Sequence, residues 1–104
     1  MMIYEMRTYR TKIHATPDFL AVYEKTGIKI ISKYAKLIGC WHTESGTLNS
    51  IVFIWAYDDF NHRLAQREKL WKDHEWLEFV PSIRQYMEHQ ESVFLLPAAF
   101  SPLR

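Results

Sequence analysis

The sequence predicts an α+β fold: one antiparallel four-stranded sheet carrying its helices on one face. Three observations lead there. Runs rich in strand-forming residues stand at both ends and in the middle of the chain. Between them lie stretches with apolar residues at every third or fourth position. The run IVFIWAY, residues 51–57, is apolar on both of its faces, so both sides of that strand need cover.

The elements follow in order. Ile3 to Tyr9 alternates and reads as the first strand. Thr16-Pro17-Asp18 reads as a helix start, with Thr16 as cap, Pro17 in the first turn and Asp18 favouring the helix dipole. The spacing of Phe19, Tyr23, Gly27, Ile30, Tyr34 and Leu37 predicts one buried face on a helix to about Ile38, ended by Gly39. Gly27 lies mid-helix at a propensity cost of about 1 kcal/mol, so it marks a kink or a close approach by another element. Cys40 to Glu44 is the second strand, residues 45–49 a hairpin loop, and Ser50 to Tyr57 the third strand. Asp58 or Asp59 caps a helix through Trp71. Asp73 caps another with Trp76, Phe79, Val80, Ile83 and Met87 at helical spacing, kinked at Pro81. Gln90 to Leu96 is the last strand. The order β-α-β-β-α-α-β is a ferredoxin-like split βαβ unit in one domain, residues 1–104.

In the third strand Ile51, Phe53, Trp55 and Tyr57 point one way, and Val52, Ile54 and Ala56 the other. The helices of a 104-residue chain cover only one of these faces. The other would leave a large apolar patch on a monomer. A second copy laying its own sheet against it solves the problem, so the sequence predicts a homodimer, or a higher oligomer built on it, in the form of a dimeric α/β barrel.

Composition narrows the function. Net charge is +1 without a basic stripe, which argues against a nucleic-acid partner. The opening MMIYEMRTYR is charged early, unlike a signal peptide. No apolar run reaches the ~18 residues of a membrane span. A cytoplasmic protein without a membrane partner is expected. Cys40, the one cysteine, excludes an internal disulfide and a cysteine-cluster zinc site, and reads as a small buried hydrophobe.

The opening IYEMRTYR, the segment IGCWHTESGTLNSIVFIWAYDDFNHR, the stretch DHEW and the ending PAAFSPL together resemble the NIPSNAP family, in order and over nearly the whole chain. The resemblance implies the dimeric α/β barrel superfamily, which also holds antibiotic-biosynthesis-type monooxygenases and haem-degrading proteins. It implies no agreed reaction. Tyr4, Glu5, Arg7, Thr8 and Tyr9 match the family's opening pattern. Glu44, Gly46 and Asn49 match its hairpin, and Arg63 an arginine that recurs after the third strand.

Several residues carry candidate chemistry. Glu5 and Arg7 share a strand face with Ile3 and Tyr9, where opposite charges must pair; Arg7 would fix register or orient a ligand. His42 and Glu44 offer two metal ligands without a third, and the five histidines are scattered, so no metal and no cofactor is expected. Asp58 and Asp59 read as a helix cap, with Arg63 paired to Asp59 or reaching a pocket mouth. Aromatics at core spacing, with an arginine or two, would suit a small apolar or aromatic ligand between sheet and helices. The pocket candidates are Arg7, Tyr9, Tyr23, Trp55, Tyr57, Arg63 and Trp76. The leading expectation is a small-molecule-binding homodimer with catalysis open and no catalytic residue named. The alternatives are a dimeric interaction or scaffold domain and, by superfamily analogy, a cofactor-free monooxygenase acting through Arg7 with Tyr9 or Tyr57, or a haem-binding protein.

Overall fold

The computed structural model describes residues 2–104. Strand β1 (Ile3–Thr11) is followed by helix α1 (Thr16–Val22), a π-helical turn (Tyr23–Gly27) and helix α2 (Ile28–Ile31). Strands β2 (Lys36–His42) and β3 (Ser50–Tyr57), helices α3 (Phe60–Leu70) and α4 (His74–Arg84), and strand β4 (Met87–Leu95) complete the chain. The strands form one antiparallel sheet in the order β2-β3-β1-β4, the ferredoxin-like arrangement expected from the element order. No helix of the described residues is long and apolar enough to cross a membrane.

The pairing register fixes which side chains share a face. Ile3, Glu5, Arg7 and Tyr9 of β1 stand opposite Tyr57, Trp55, Phe53 and Ile51 of β3, beneath the helices. This face and the helices form the core, in which Phe19, Ile51, Phe53 and Trp55 are almost wholly buried. Its centre is aromatic. Tyr23 lies 4.8 Å from Phe53 and 5.5 Å edge-on to Phe79, and Trp76 lies 5.4 Å from Phe79, within the range of favourable ring contacts.

The first helix differs from its sequence expectation at both ends. Thr16 is not the cap: Ala15 holds that position without a side-chain bond, and the Thr16 hydroxyl instead meets that of Thr11 at 2.9 Å. The helix stops at Ile31, not Ile38, because two tertiary demands override the periodicity. Residues 36–42 pair with β3 as β2. The turn before them is tied to α4 through Asp73, whose Oδ2 accepts from the Tyr34 hydroxyl at 2.6 Å and from Lys33 Nζ at 3.0 Å. Gly39 is therefore a strand residue. The Trp41 indole lies over it, so closely that a Cβ there would stand 2.3 Å from a ring carbon. Strand β4 likewise starts at Met87 instead of Gln90, taking Met87 out of the predicted helix. Asp59 and Asp73 cap their helices as expected, accepting from His62 N at 2.7 Å and Glu75 N at 2.9 Å. Cys40 is exposed, not buried, since β2 is an edge strand of the sheet.

The π turn, closed by Ile28 N–H on the Tyr23 carbonyl, brings Gly27 against α4. A Cβ on Gly27 would lie 2.3 Å from the Phe79 ring, which is itself buried and has no room to retreat. Gly27→Ala would gain about 1 kcal/mol of helix propensity. Overpacking of about 1–3 kcal/mol opposes it, and the closeness of the clash decides the sign. Gly27→Ala is expected to lower the melting temperature, and Phe79→Leu in the same chain to recover part of the loss. A melting temperature unchanged or raised by Gly27→Ala alone would refute the close approach.

Candidate functional site

The charged residues of β1 are organised around Glu5, whose side chain is fully buried. Arg63 on α3 grips it with two parallel bonds, Nε to Oε1 at 3.0 Å and Nη2 to Oε2 at 2.9 Å. Arg7 Nη1 donates to Oε2 at 2.9 Å, and Ser92 Oγ on β4 donates to the same oxygen at 2.5 Å. Arg63 is thus not the partner of Asp59, as the i,i+4 spacing suggested; Asp59 is committed to its cap and Arg63 reaches across to the sheet. Burial alone would raise the Glu5 pKa. The bonds from Arg63 and Ser92 and the charges of Arg7 and Arg63 outweigh it and bring the carboxyl down from 4.5 to about 2.

Arg7 is saturated. Beyond Glu5 it donates Nε to the Tyr9 hydroxyl at 2.8 Å and Nη2 to Gln90 Oε1 at 3.3 Å. Arg7 therefore positions Tyr9. Because the Tyr9 oxygen accepts from Arg7, its own proton is turned to other acceptors.

Tyr9 and Arg7 form the floor of a half-open cleft of about 500 Å³ between the sheet and the helices. Trp71, Trp76, Ile31, Val80, Ile83 and Met87 supply its apolar walls. Arg67 enters from α3, one turn beyond Arg63, with Arg84, Glu88 and His89 also on the lining. Of the seven sequence candidates, Arg7, Tyr9 and Trp76 meet here. Tyr23, Trp55 and Tyr57 do not line the cleft; they are buried in the core, and the burial of Tyr23 pushes its hydroxyl well above the usual range. Arg63 lies behind the wall on Glu5, with its guanidinium 4.9 Å over the Phe94 ring. Arg67, Arg84 and Met87 were not anticipated as lining. The signal for Arg67 was its i,i+4 relation to Arg63, which puts both on one face of α3. His42 and Glu44 sit 3.8 Å apart and exposed, and no group of three or more metal-ligating side chains occurs among the described residues.

The depressed Glu5 pKa carries a pH dependence. A group whose folded-state pKa is lowered stabilises the fold fully above its unfolded value and loses that contribution as pH falls through the folded value. Here the window runs from about 4.5 down to about 2, and the contribution is roughly 3 kcal/mol. Asp73 titrates in the same range, so the comparison must be with Glu5→Gln. That variant is expected to lose about 3–5 kcal/mol at neutral pH, because it strands two arginines. Chemical denaturation from pH 7 to 2.5 should show a flatter pH profile for the variant than for the wild type. Parallel profiles would show that the Glu5 cluster does not carry the charge assigned to it.

Comparison with known proteins places this geometry in a family. The NIPSNAP family profile matches residues 4–102. The human protein NipSnap homolog 3A is 35% identical over 101 residues, covering 92% of this chain and 40% of the human protein, so the chain spans well under half the length of this relative. An uncharacterized NIPSNAP domain protein from Burkholderia xenovorans is 58% identical, with a TM-score of 0.94 and coverage of 98% of this chain and 99% of that one. A NIPSNAP family protein of unknown function from Agrobacterium tumefaciens is 42% identical with a TM-score of 0.97, over 99% and 94% of the two chains. A putative antibiotic biosynthesis monooxygenase from Nitrosomonas europaea shares the fold alone, at 14% identity and a TM-score of 0.69 over 96% and 93% of the two chains. The architecture is thus that of the dimeric α/β barrel proteins, and the chain belongs to the NIPSNAP family.

Proposed function

We propose that this chain is a small-molecule-binding domain that works as a homodimer, each subunit holding ligand in its cleft between sheet and helices. The observation that carries the reading is the cleft itself. About 500 Å³ lies within the size range of ligand sites, and the walls combine aromatic and aliphatic side chains with a few convergent polar groups. Core packing explains Tyr23, Trp55 and Tyr57, but it does not explain a cleft kept open beside them. Native mass spectrometry of gently purified protein is expected to show retained ligand, or a metabolite screen to raise the melting temperature by several degrees. Silence in both would favour a non-catalytic interaction domain. No arrangement of acid, base and nucleophile around the cleft supports a particular reaction.

The homodimer rests on the far face of the sheet. There Trp41, Val93 and Leu95 are exposed, and Met6, Val52 and Ile54 are only half buried. They form one apolar surface across four strands, larger than scattered surface hydrophobes would give. A second copy has the same face, so the two sheets can cover each other. Light scattering at micromolar concentration should give twice the chain mass. Val93→Glu, at a position 44% exposed in the protomer, should shift the protein toward monomer with its circular dichroism unchanged. A monodisperse wild-type monomer would sink the dimer. A cytoplasmic location belongs to the same proposal, and recovery of the chain in a washed membrane fraction would count against it.

A further inference from the structure

Three residues that line the cleft, each from a different element, carry hydrogen-bond donors that the protein leaves unused. Trp76 is only 6% exposed, and its Nε1–H has no acceptor among the described residues, the sole buried side-chain polar atom among them left so. An unpaired buried donor of this kind costs about 1–3 kcal/mol, and Trp76 is one of the residues that line the cleft, so an acceptor brought in by a ligand would relieve that cost. Arg67 lines the same cleft and forms no ion pair or side-chain hydrogen bond among the described residues, whereas Arg7 and Arg63 are both paired with Glu5. Burial and the neighbouring charges of Arg7 and Arg63 push the Arg67 pKa down, with only partial relief from Glu5. The Tyr9 hydroxyl, its oxygen occupied by Arg7 Nε, has its proton free. Arg84 adds a positive charge, Glu88 is the one carboxylate on the lining, exposed at the rim, and His89 is turned toward Glu91.

From these donors we infer that the cleft is a site for a small organic carboxylate, its anionic head held by Arg67, Trp76 Nε1–H and the Tyr9 hydroxyl and its flat or aliphatic body against Trp71, Val80 and Ile83. The carboxylate matches the donor set in kind: it accepts several hydrogen bonds at once and pairs bidentately with a guanidinium. A neutral ligand would leave the Arg67 charge without compensation. A bare inorganic anion would leave the apolar walls wet. The inference deepens the small-molecule reading and rests on it.

The test uses the full chain with benzoate, naphthoate and octanoate, each matched with its primary amide, which keeps the body and removes the charge. Titration calorimetry gives the affinities, and the Trp76 indole N–H resonance, assigned by its loss in Trp76→Phe, reports the place. At least one acid is expected to bind roughly tenfold to a hundredfold more tightly than its amide, the scale of a charge-assisted hydrogen bond. It should also move the Trp76 indole proton downfield. Arg67→Gln should abolish that preference by lowering acid affinity far more than amide affinity. It should not lower the melting temperature, because no partner in the protein is lost; this separates a ligand-directed arginine from a structural one. Acid and amide binding equally, or a preference that survives in Arg67→Gln, would overturn the carboxylate while leaving the small-molecule pocket standing. If none of the six compounds binds or perturbs the Trp76 resonance, the carboxylate inference falls, and the pocket reading still stands or falls on the native mass spectrometry and metabolite screen.

Discussion

A single buried carboxylate organises this fold. Glu5 sits on one of the two central strands of the sheet, fully removed from water. An ionised group there is tolerable only when its lone pairs are met, and Arg63, Arg7 and Ser92 meet them from α3, β1 and β4. The requirement has geometric force. Arg63 reaches Glu5 only if α3 crosses β1 at this level. That crossing carries Arg67, one turn on, to the cleft. Ser92 reaches it only in the observed register of β4, which also places Gln90 beside Arg7. The chain of bonds from Arg63 through Glu5 and Arg7 to Tyr9 makes the floor of the cleft an extension of the buried network.

The sequence exposed much of this and hid a definite part. Strand three and the two aspartate-capped helix starts were legible because their determinants are local: alternation, chain polarity and a capping oxygen. The pairing of Glu5 with Arg7 was legible from shared parity on one strand. The end of the first helix was not, since Tyr34 and Leu37 continue the helical spacing toward Gly39, and what stops it earlier is β2 pairing with β3 and the grip of Asp73 on the turn. The partner of Arg63 was misjudged for the same reason. Asp59 is near in sequence, and Glu5 is near only in space. Aromatic residues could not be sorted between core and cleft either. Trp55 and Trp76 look alike as letters, and only packing tells the filled site from the lined one.

Within the cleft, the contrast between neighbouring arginines is informative. Arg63 and Arg67 leave the same face of one helix a single turn apart, yet one is clamped bidentately and the other forms no ion pair among the described residues. Uncompensated charge beside other arginines is unfavourable for folding, and a sequence selected for stability alone would have replaced Arg67. Its presence on the same lining as Trp76, whose indole N–H is unmet, is the kind of local conflict that marks a site shaped by something other than packing.

The alternation of β1 has a further consequence. Odd-numbered residues Glu5, Arg7 and Tyr9 build the floor of the cleft and its supporting ion cluster, while even-numbered Tyr4, Met6 and Thr8 belong to the opposite, apolar face. One strand thus writes two surfaces in interleaved text, and its reading frame is not negotiable. A slip of one residue would exchange the two messages, turning Glu5 and Arg7 onto the apolar face and Met6 into the polar cluster. Pairing with β3 on one side and β4 on the other guards against that slip. The central strand is therefore constrained at consecutive positions for unrelated reasons, and neither surface can be altered by shifting the strand without erasing the other.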